Sequence, residues 1–231
     1  MNIKATAKNM RDALQQGIYM VINPFVRLLI RLGFTPNAVT TIGFLGNVAA
    51  ALVIVWAGYE ASLPGDACID YGMVTLAGAL IIGFSLFDML DGQVARLGGM
   101  ASTFGAMYDS VLDRYCELFT LGGIAYYLIC IDRFAGAVIA FVALIGSIMV
   151  SYVRARAEGL DIECKIGFMQ RPERVVVTSL ATLATGICGQ AGVDSFDPNL
   201  ILIIAMAVIA VFANLTAFAR IAHCRRELQK K

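Results

Sequence analysis

Six long apolar stretches, at roughly 37–58, 71–98, 102–129, 134–157, 173–191 and 198–222, limit what this chain can become. About 20 apolar residues in helical form cross the ~30 Å hydrocarbon layer of a bilayer, and each stretch is close to that length. A chain of 231 residues with 59% hydrophobic and 15% charged side chains lies outside the range of soluble domains. Its mean hydropathy of +0.75 agrees. A transmembrane β-barrel is excluded, because barrel strands alternate apolar and polar residues over about ten positions. The sequence thus predicts an all-α integral membrane protein with six transmembrane helices. Before them, Ile18 to Leu32 is apolar but contains Pro24, Arg27 and Arg31. That pattern predicts an N-terminal amphipathic helix lying in the interface. We expect one membrane-embedded domain over 1–231, with the interfacial helix in 1–34 and the six-helix bundle in 35–231. Residues 1–16 are polar and lack the apolar core of a cleavable signal. No internal repeat is visible, which argues against a transporter built from inverted halves.

Charge placement predicts the orientation. Lys4, Lys8, Arg11, Arg27 and Arg31 precede the first span, Arg96 lies between the second and third, and Arg154, Arg156, Lys165, Arg171 and Arg174 surround the fourth connection between spans. Arg220, Arg225, Arg226, Lys230 and Lys231 close the chain. The opposite connections hold Glu60, Asp66, Asp70, Asp132, Asp194 and Asp197 against a single basic residue, Arg133. The positive-inside rule then puts both termini in the cytoplasm. Six cysteines are scattered without metal-site spacing and read as small apolar side chains, although Cys68 and Cys188 fall on the same outer side and could be bridged.

Against this background FDMLDGQVARLGGMASTFGAMYDSVLDR, residues 87 to 114, stands out. Asp88 and Asp91 are spaced i, i+3, and Asp109 and Asp113 i, i+4, so each pair shares a helical face. At 1.5 Å per residue Asp88 lies about 25 Å along the second span, and Asp109 and Asp113 about 10 to 17 Å into the third, so the pairs reach similar depth. Four charged carboxylates in hydrocarbon repel one another and are costly to desolvate. A divalent cation removes that cost. Oxygen ligands without His or Cys favour Mg²⁺, Mn²⁺ or Ca²⁺ over zinc, and a magnesium site commonly completes its shell with substrate phosphate. Gly92 and Gly105 leave room beside the acids, and Arg96 is placed to neutralise a phosphate. Two other readings compete. Salt bridges to Arg96 and Arg114 leave too few cations for four acids, and a cation transporter does not account for the basic cluster on the same side.

The pattern Asp88-x2-Asp91-Gly92-x2-Ala95-Arg96-x8-Gly105-x3-Asp109-x3-Asp113 resembles the signature of the CDP-alcohol phosphotransferase family, with every position filled. The segment Thr35-Pro36-Asn37-Ala38-Val39-Thr40 and the six-span layout resemble it too. The resemblance implies an enzyme of phospholipid synthesis in the cell membrane, with its active site facing the cytoplasm, that moves a phosphatidyl group from a CDP-linked lipid to an alcohol and releases CMP. It implies Asp88, Asp91 and Asp109 as metal ligands. Asp113 would lie at the metal and act as the base that takes the acceptor's proton. Asn37, Ala38, Val39, Thr40, Gly92, Arg96, Ser102 and Gly105 would surround the CDP-lipid. Mg²⁺ is the expected cofactor, with Mn²⁺ as an alternative.

The acceptor is addressed by SYVRARAEGLDIECKIGFMQRPERVV, residues 151 to 176. Its arginines, with Arg220, suit a phosphate-bearing acceptor and would repel choline or ethanolamine. S-Y-x-[RK]-A-R-A-E followed by R-P-E-R resembles, within the family, the phosphatidylinositol-phosphate synthases. This implies Arg154, Arg171 and Arg220 as ligands of an inositol phosphate, with Arg156 and Arg174 as further candidates. Arginine at 154, where lysine is often found, and a longer acidic segment at 158–164 depart from that pattern. Glycerol 3-phosphate and free inositol remain alternative acceptors, and the donor is CDP-diacylglycerol or an ether-lipid analogue. Membrane lipids are the expected surroundings. A homodimer is implied by the resemblance alone, and no nucleic-acid partner is expected. His223, in the basic tail, reads as structural.

Overall fold

The computed structural model describes residues 22–64, 68–192 and 196–230. Residues 22–31 are helical (α1), and seven helices follow: α2 Pro36–Ala61, α3 Tyr71–Ser85, α4 Phe87–Leu97, α5 Thr103–Cys130, α6 Phe134–Glu158, α7 Arg171–Gln190 and α8 Asn199–Leu228. Helices occupy all six predicted intervals. The second is broken at Leu86, so that Asp88 and Asp91 sit on the separate helix α4. Four intervals are long and apolar enough to cross a membrane: Pro36–Ala61, Tyr71–Leu97, Phe134–Glu158 and Asn199–Leu228. α5 and α7, with 28 and 20 residues, have spanning length but carry too many polar groups to qualify. Those groups are Asp109, Asp113 and Glu117 on α5, and Arg171 and Arg174 on α7. Lys4, Lys8, Arg11, Asp66, Asp194, Lys231 and the first part of the expected interfacial helix lie outside the described residues.

The chain divides into two compact units. The first comprises residues 1–43 and 86–112. Its core joins Val26 and Leu29 of α1, Val39 of α2, and Leu90 and Val94 of α4. Two helices of this unit end alike. Gly33 (φ 82°) and Gly99 (φ 63°) adopt the left-handed conformation that stops a helix, with Phe34 N–H donating to Leu29 O and Met100 N–H to Ala95 O. The next helices start cleanly. Thr35 accepts a hydrogen bond from Ala38 N–H, Pro36 opens α2, and Ser102 accepts one from Gly105 N–H at the head of α5.

The second unit, 44–85 and 113–231, holds the larger core, from Ile54 on α2 to Ile209 on α8. Its helices approach closely through small residues, as expected where lipid gives no hydrophobic drive to association. On α3, a methyl at Gly78 would lie 2.5 Å from the Leu183 backbone nitrogen of α7. Reciprocally, a methyl at Gly186 of α7 would collide with the Thr75 backbone of α3. Because backbone cannot yield as a side-chain end can, Gly186→Leu is expected to destabilise by at least about 1–3 kcal/mol. A fall in the thermal midpoint of the purified protein checks this, and an unchanged midpoint would refute the contact. All six cysteines are free thiols, so Cys68 and Cys188 are not bridged. His223 Nε2 lies 3.1 Å from the Glu163 carbonyl, a structural contact.

Candidate functional site

In the first unit, a cavity of about 250 Å³ is lined by Pro36, Asn37 and Thr40 of α2, Asp91, Gly92, Ala95 and Arg96 of α4, and Met100, Ala101, Ser102, Gly105, Ala106 and Asp109 around the start of α5. Two helix N-termini contribute to this wall, one at Pro36–Asn37 and one at Ser102–Gly105. Their backbone N–H groups and dipoles favour an anion. Arg96 adds a full positive charge. On the same wall Asp91 and Asp109 present carboxylates. Only a ligand that is itself anionic and binds together with a cation satisfies both sets of groups.

The details fit such a pair. The Thr40 hydroxyl donates to Asp91 Oδ2 (2.6 Å), fixing a carboxylate that is 5% exposed. Thr41 and Tyr108 share a hydrogen bond of 3.0 Å that ties α2 to α5 beside it. Among the described residues, no three His, Cys, Asp or Glu side chains form a closed metal cluster. What this cavity offers is an open, hard-oxygen half-site of Asp91 and Asp109, the kind that suits magnesium or manganese sharing substrate oxygens. Gly105 keeps it open: a methyl there would lie 3.0 Å from Ser102 Oγ and 3.2 Å from Asn37 Oδ1. Gly105→Val is therefore expected to raise the KM for a CDP-lipid by about tenfold or more while the protein still folds. An unaltered KM in saturation kinetics would remove Gly105 from the site.

Two of the expected contacts lie off this wall. The Val39 side chain is fully buried in the core of this unit and does not line the cavity. Ala38 is not on its wall either; its N–H is spent on Thr35 Oγ1. Helical periodicity explains both, since Asn37 and Thr40 share one face of α2 and the residues between them turn away. Asp88 lies one turn before Asp91 on α4 and is half-buried, but the cavity wall does not include it.

In the second unit, a smaller cavity of about 30 Å³ is lined by Asn47, Ile81, Ser85, Asp113, Cys116, Glu117, Thr120, Leu121, Arg171, Arg174, Val175 and Thr178. Its volume suits a water or two. Asp113, 12% exposed, receives Arg171 Nη2 on Oδ1 at 2.6 Å, with Arg114 Nη1 3.9 Å from Oδ2. One turn further along α5, Glu117 binds Arg174 through both oxygens, at 2.5 Å and 3.0 Å, and both side chains are buried. Arg174 also donates to the Met169 carbonyl at 3.1 Å. Pro172 follows Arg171 in the first turn of α7 and helps fix the direction in which the helix starts.

The five arginines do not act as one cluster. Only Arg171 and Arg174 line the cavity that contains Asp113. Arg174 is paired in place: a guanidinium 2% exposed needs its charge matched, and Glu117 matches it. Arg156 opens onto a separate apolar groove between α6 and α8. Arg154 pairs with Glu158 at 2.9 Å. Arg220 is buried and donates to the Ile166 carbonyl (2.9 Å) and the Val150 carbonyl (2.6 Å), clasping the 159–170 segment to α6 and α8. Glu117 was not anticipated from the sequence. The signal was present, because Gly105, Asp109, Asp113 and Glu117 continue one i, i+4 stripe.

A sequence model described as CDP-alcohol phosphatidyltransferase matches residues 34–213. The phosphatidylinositol phosphate synthase of Mycobacterium marinum is 34% identical over 206 residues, covering 87% of this chain and 78% of that protein. The one from Cutibacterium acnes is 31% identical over 226 residues, 94% and 98% of the two chains. Among solved structures, phosphatidylinositol phosphate synthase of Mycobacterium tuberculosis with CDP-DAG bound superposes with a TM-score of 0.73 at 26% identity, covering 89% of this chain and 94% of that one. The same enzyme in complex with manganese and citrate gives a TM-score of 0.72 at 28% identity, covering 87% of each chain.

Proposed function

The chain belongs to the CDP-alcohol phosphatidyltransferase family, and from that premise we propose that it transfers a phosphatidyl group from CDP-diacylglycerol to a hydroxyl of inositol phosphate, releasing CMP. The donor agrees with the relative that binds CDP-DAG, and the acceptor with the names of the M. marinum and C. acnes relatives. The observation that carries the acceptor assignment is the contact between Arg171 and Asp113. A guanidinium fork, a shape suited to phosphate, beside the carboxylate read as the base supports this reading.

In this mechanism the cavity of the first unit takes the donor's diphosphate, with the N-termini of α2 and α5 and Arg96 meeting its charge. Asp88, Asp91, Asp109 and Asp113 would hold the divalent ion, magnesium in this reading, and a relative is in complex with manganese. When bound, that ion supplies neutralisation of the pyrophosphate and of the departing CMP. Asp113 accepts the proton of the attacking hydroxyl. The acceptor's phosphate draws Arg171 away from Asp113, which enlarges a cavity now sized for water and uncovers the base. Arg154 and Arg220 belong to the same phosphate site in this reading, with the departures at 154 and 158–164 setting its shape. The reading treats residues 1–231 as one catalytic domain with six spans, an interfacial N-terminal helix and a cytoplasmic active site in the cell membrane, working as a homodimer.

Arg171→Gln tests the acceptor assignment. The expected result is a KM for inositol phosphate raised by about 10-fold or more, with the KM for CDP-diacylglycerol nearly constant. An unchanged KM for inositol phosphate would overturn it.

A further inference from the structure

The groove that takes Arg156 has no role in the reaction derived above. It holds about 530 Å³ and lies between the C-terminal ends of α6 and α8. Val153 and Ala157 form a buried floor, and Tyr152, Ile221 and Leu228 are exposed apolar walls, 59%, 47% and 47% accessible. Arg156 and Arg225 are the charged residues of its lining, and no acid joins them. Nearby acids are already engaged, Glu158 by Arg154 at 2.9 Å and Glu227 by Lys230 at 2.7 Å. Among the described residues, neither Arg156 nor Arg225 has an ion-pair partner.

An apolar trough with two unmatched guanidinium groups and an aromatic side chain at its edge has the chemistry of a lipid seat at the membrane surface. A water-soluble anion would gain nothing from the walls. A zwitterionic lipid would bring its own cation to the arginines. We propose that this groove binds one anionic glycerophospholipid of the surrounding membrane, its acyl chains along Ile221 and Leu228 and its phosphate on Arg156 and Arg225. The seat is distinct from the donor cavity of the first unit, and it stands whichever alcohol is the acceptor.

Native mass spectrometry of the full chain, released from micelles holding equal amounts of phosphatidylglycerol and phosphatidylcholine, tests this. Each basic residue near an anionic headgroup is worth roughly fivefold in binding. Wild-type protein is expected to retain one phosphatidylglycerol with a preference on the order of 20-fold over phosphatidylcholine. Arg225→Gln is expected to lower that preference about fivefold, and Arg156→Gln with Arg225→Gln to abolish it. Both arginines are exposed, so monodisperse elution of the variants is expected and reports their folding. Ile221→Trp fills the trough while keeping both charges, and it should displace the retained lipid. Equal retention of the two lipids by wild type, or a preference that survives both the double variant and Ile221→Trp, would overturn the proposal.

Discussion

Asp113→Asn is expected to lower CMP release by about 10²- to 10⁴-fold, with the protein still eluting as a folded species. Asparagine keeps the size and a hydrogen-bond acceptor for Arg171, so the local packing survives. It cannot accept the proton of an attacking hydroxyl. The loss should appear in kcat and in kcat/KM to the same degree, as for an interaction made only in the transition state. Steady-state kinetics with saturating CDP-diacylglycerol make the check. A variant with near-normal kcat would leave Asp113 as nothing more than a partner of Arg171.

Glu117→Ala carries the largest expected effect on stability. It strands the Arg174 guanidinium, 2% exposed, without its bidentate counter-charge. Breaking one side of such a buried pair costs about 3–5 kcal/mol. For a chain of this length that corresponds to a fall of roughly 10 °C in the thermal midpoint. Replacing the whole pair, Glu117→Leu with Arg174→Leu, removes both charges and should recover most of the loss. Activity should not recover with it. Arg174 also holds the Met169 carbonyl, two residues before Arg171, and leucine has no means to keep that segment in place. A thermal melt beside a CMP assay separates the two roles. If Glu117→Ala melts like the wild type, the pair contributes nothing to the fold.

The sequence made the helices legible wherever hydrophobic length alone decides. All six intervals are helical, and Gly99 ends α4 in the left-handed conformation. Asn37, Thr40, Asp91, Gly92, Arg96, Ser102, Gly105 and Asp109, proposed for the CDP-lipid and its metal, line one cavity because they lie within segments whose register a helical pattern fixes. Val39 lies off that wall although the motif is contiguous in sequence, because the helix turns every side chain about 100° from the last. The arginines were the least legible. Their positive charge shows in the chain, but the partner each finds does not. Arg174 meets an acid 57 positions away, Arg220 meets backbone carbonyls, and Arg156 faces apolar walls. Charge type is local information, and charge pairing is tertiary.

Transfer to a phosphate-bearing acceptor is tested by CMP release and lipid product mass with purified protein, CDP-diacylglycerol and Mg²⁺, comparing inositol phosphate, free inositol and glycerol 3-phosphate. Turnover with inositol phosphate alone, giving phosphatidylinositol phosphate and abolished by a chelator, is the predicted result. Turnover that prefers glycerol 3-phosphate or free inositol would contradict the acceptor site built around Arg171, and absence of CMP with every acceptor would contradict the transfer itself.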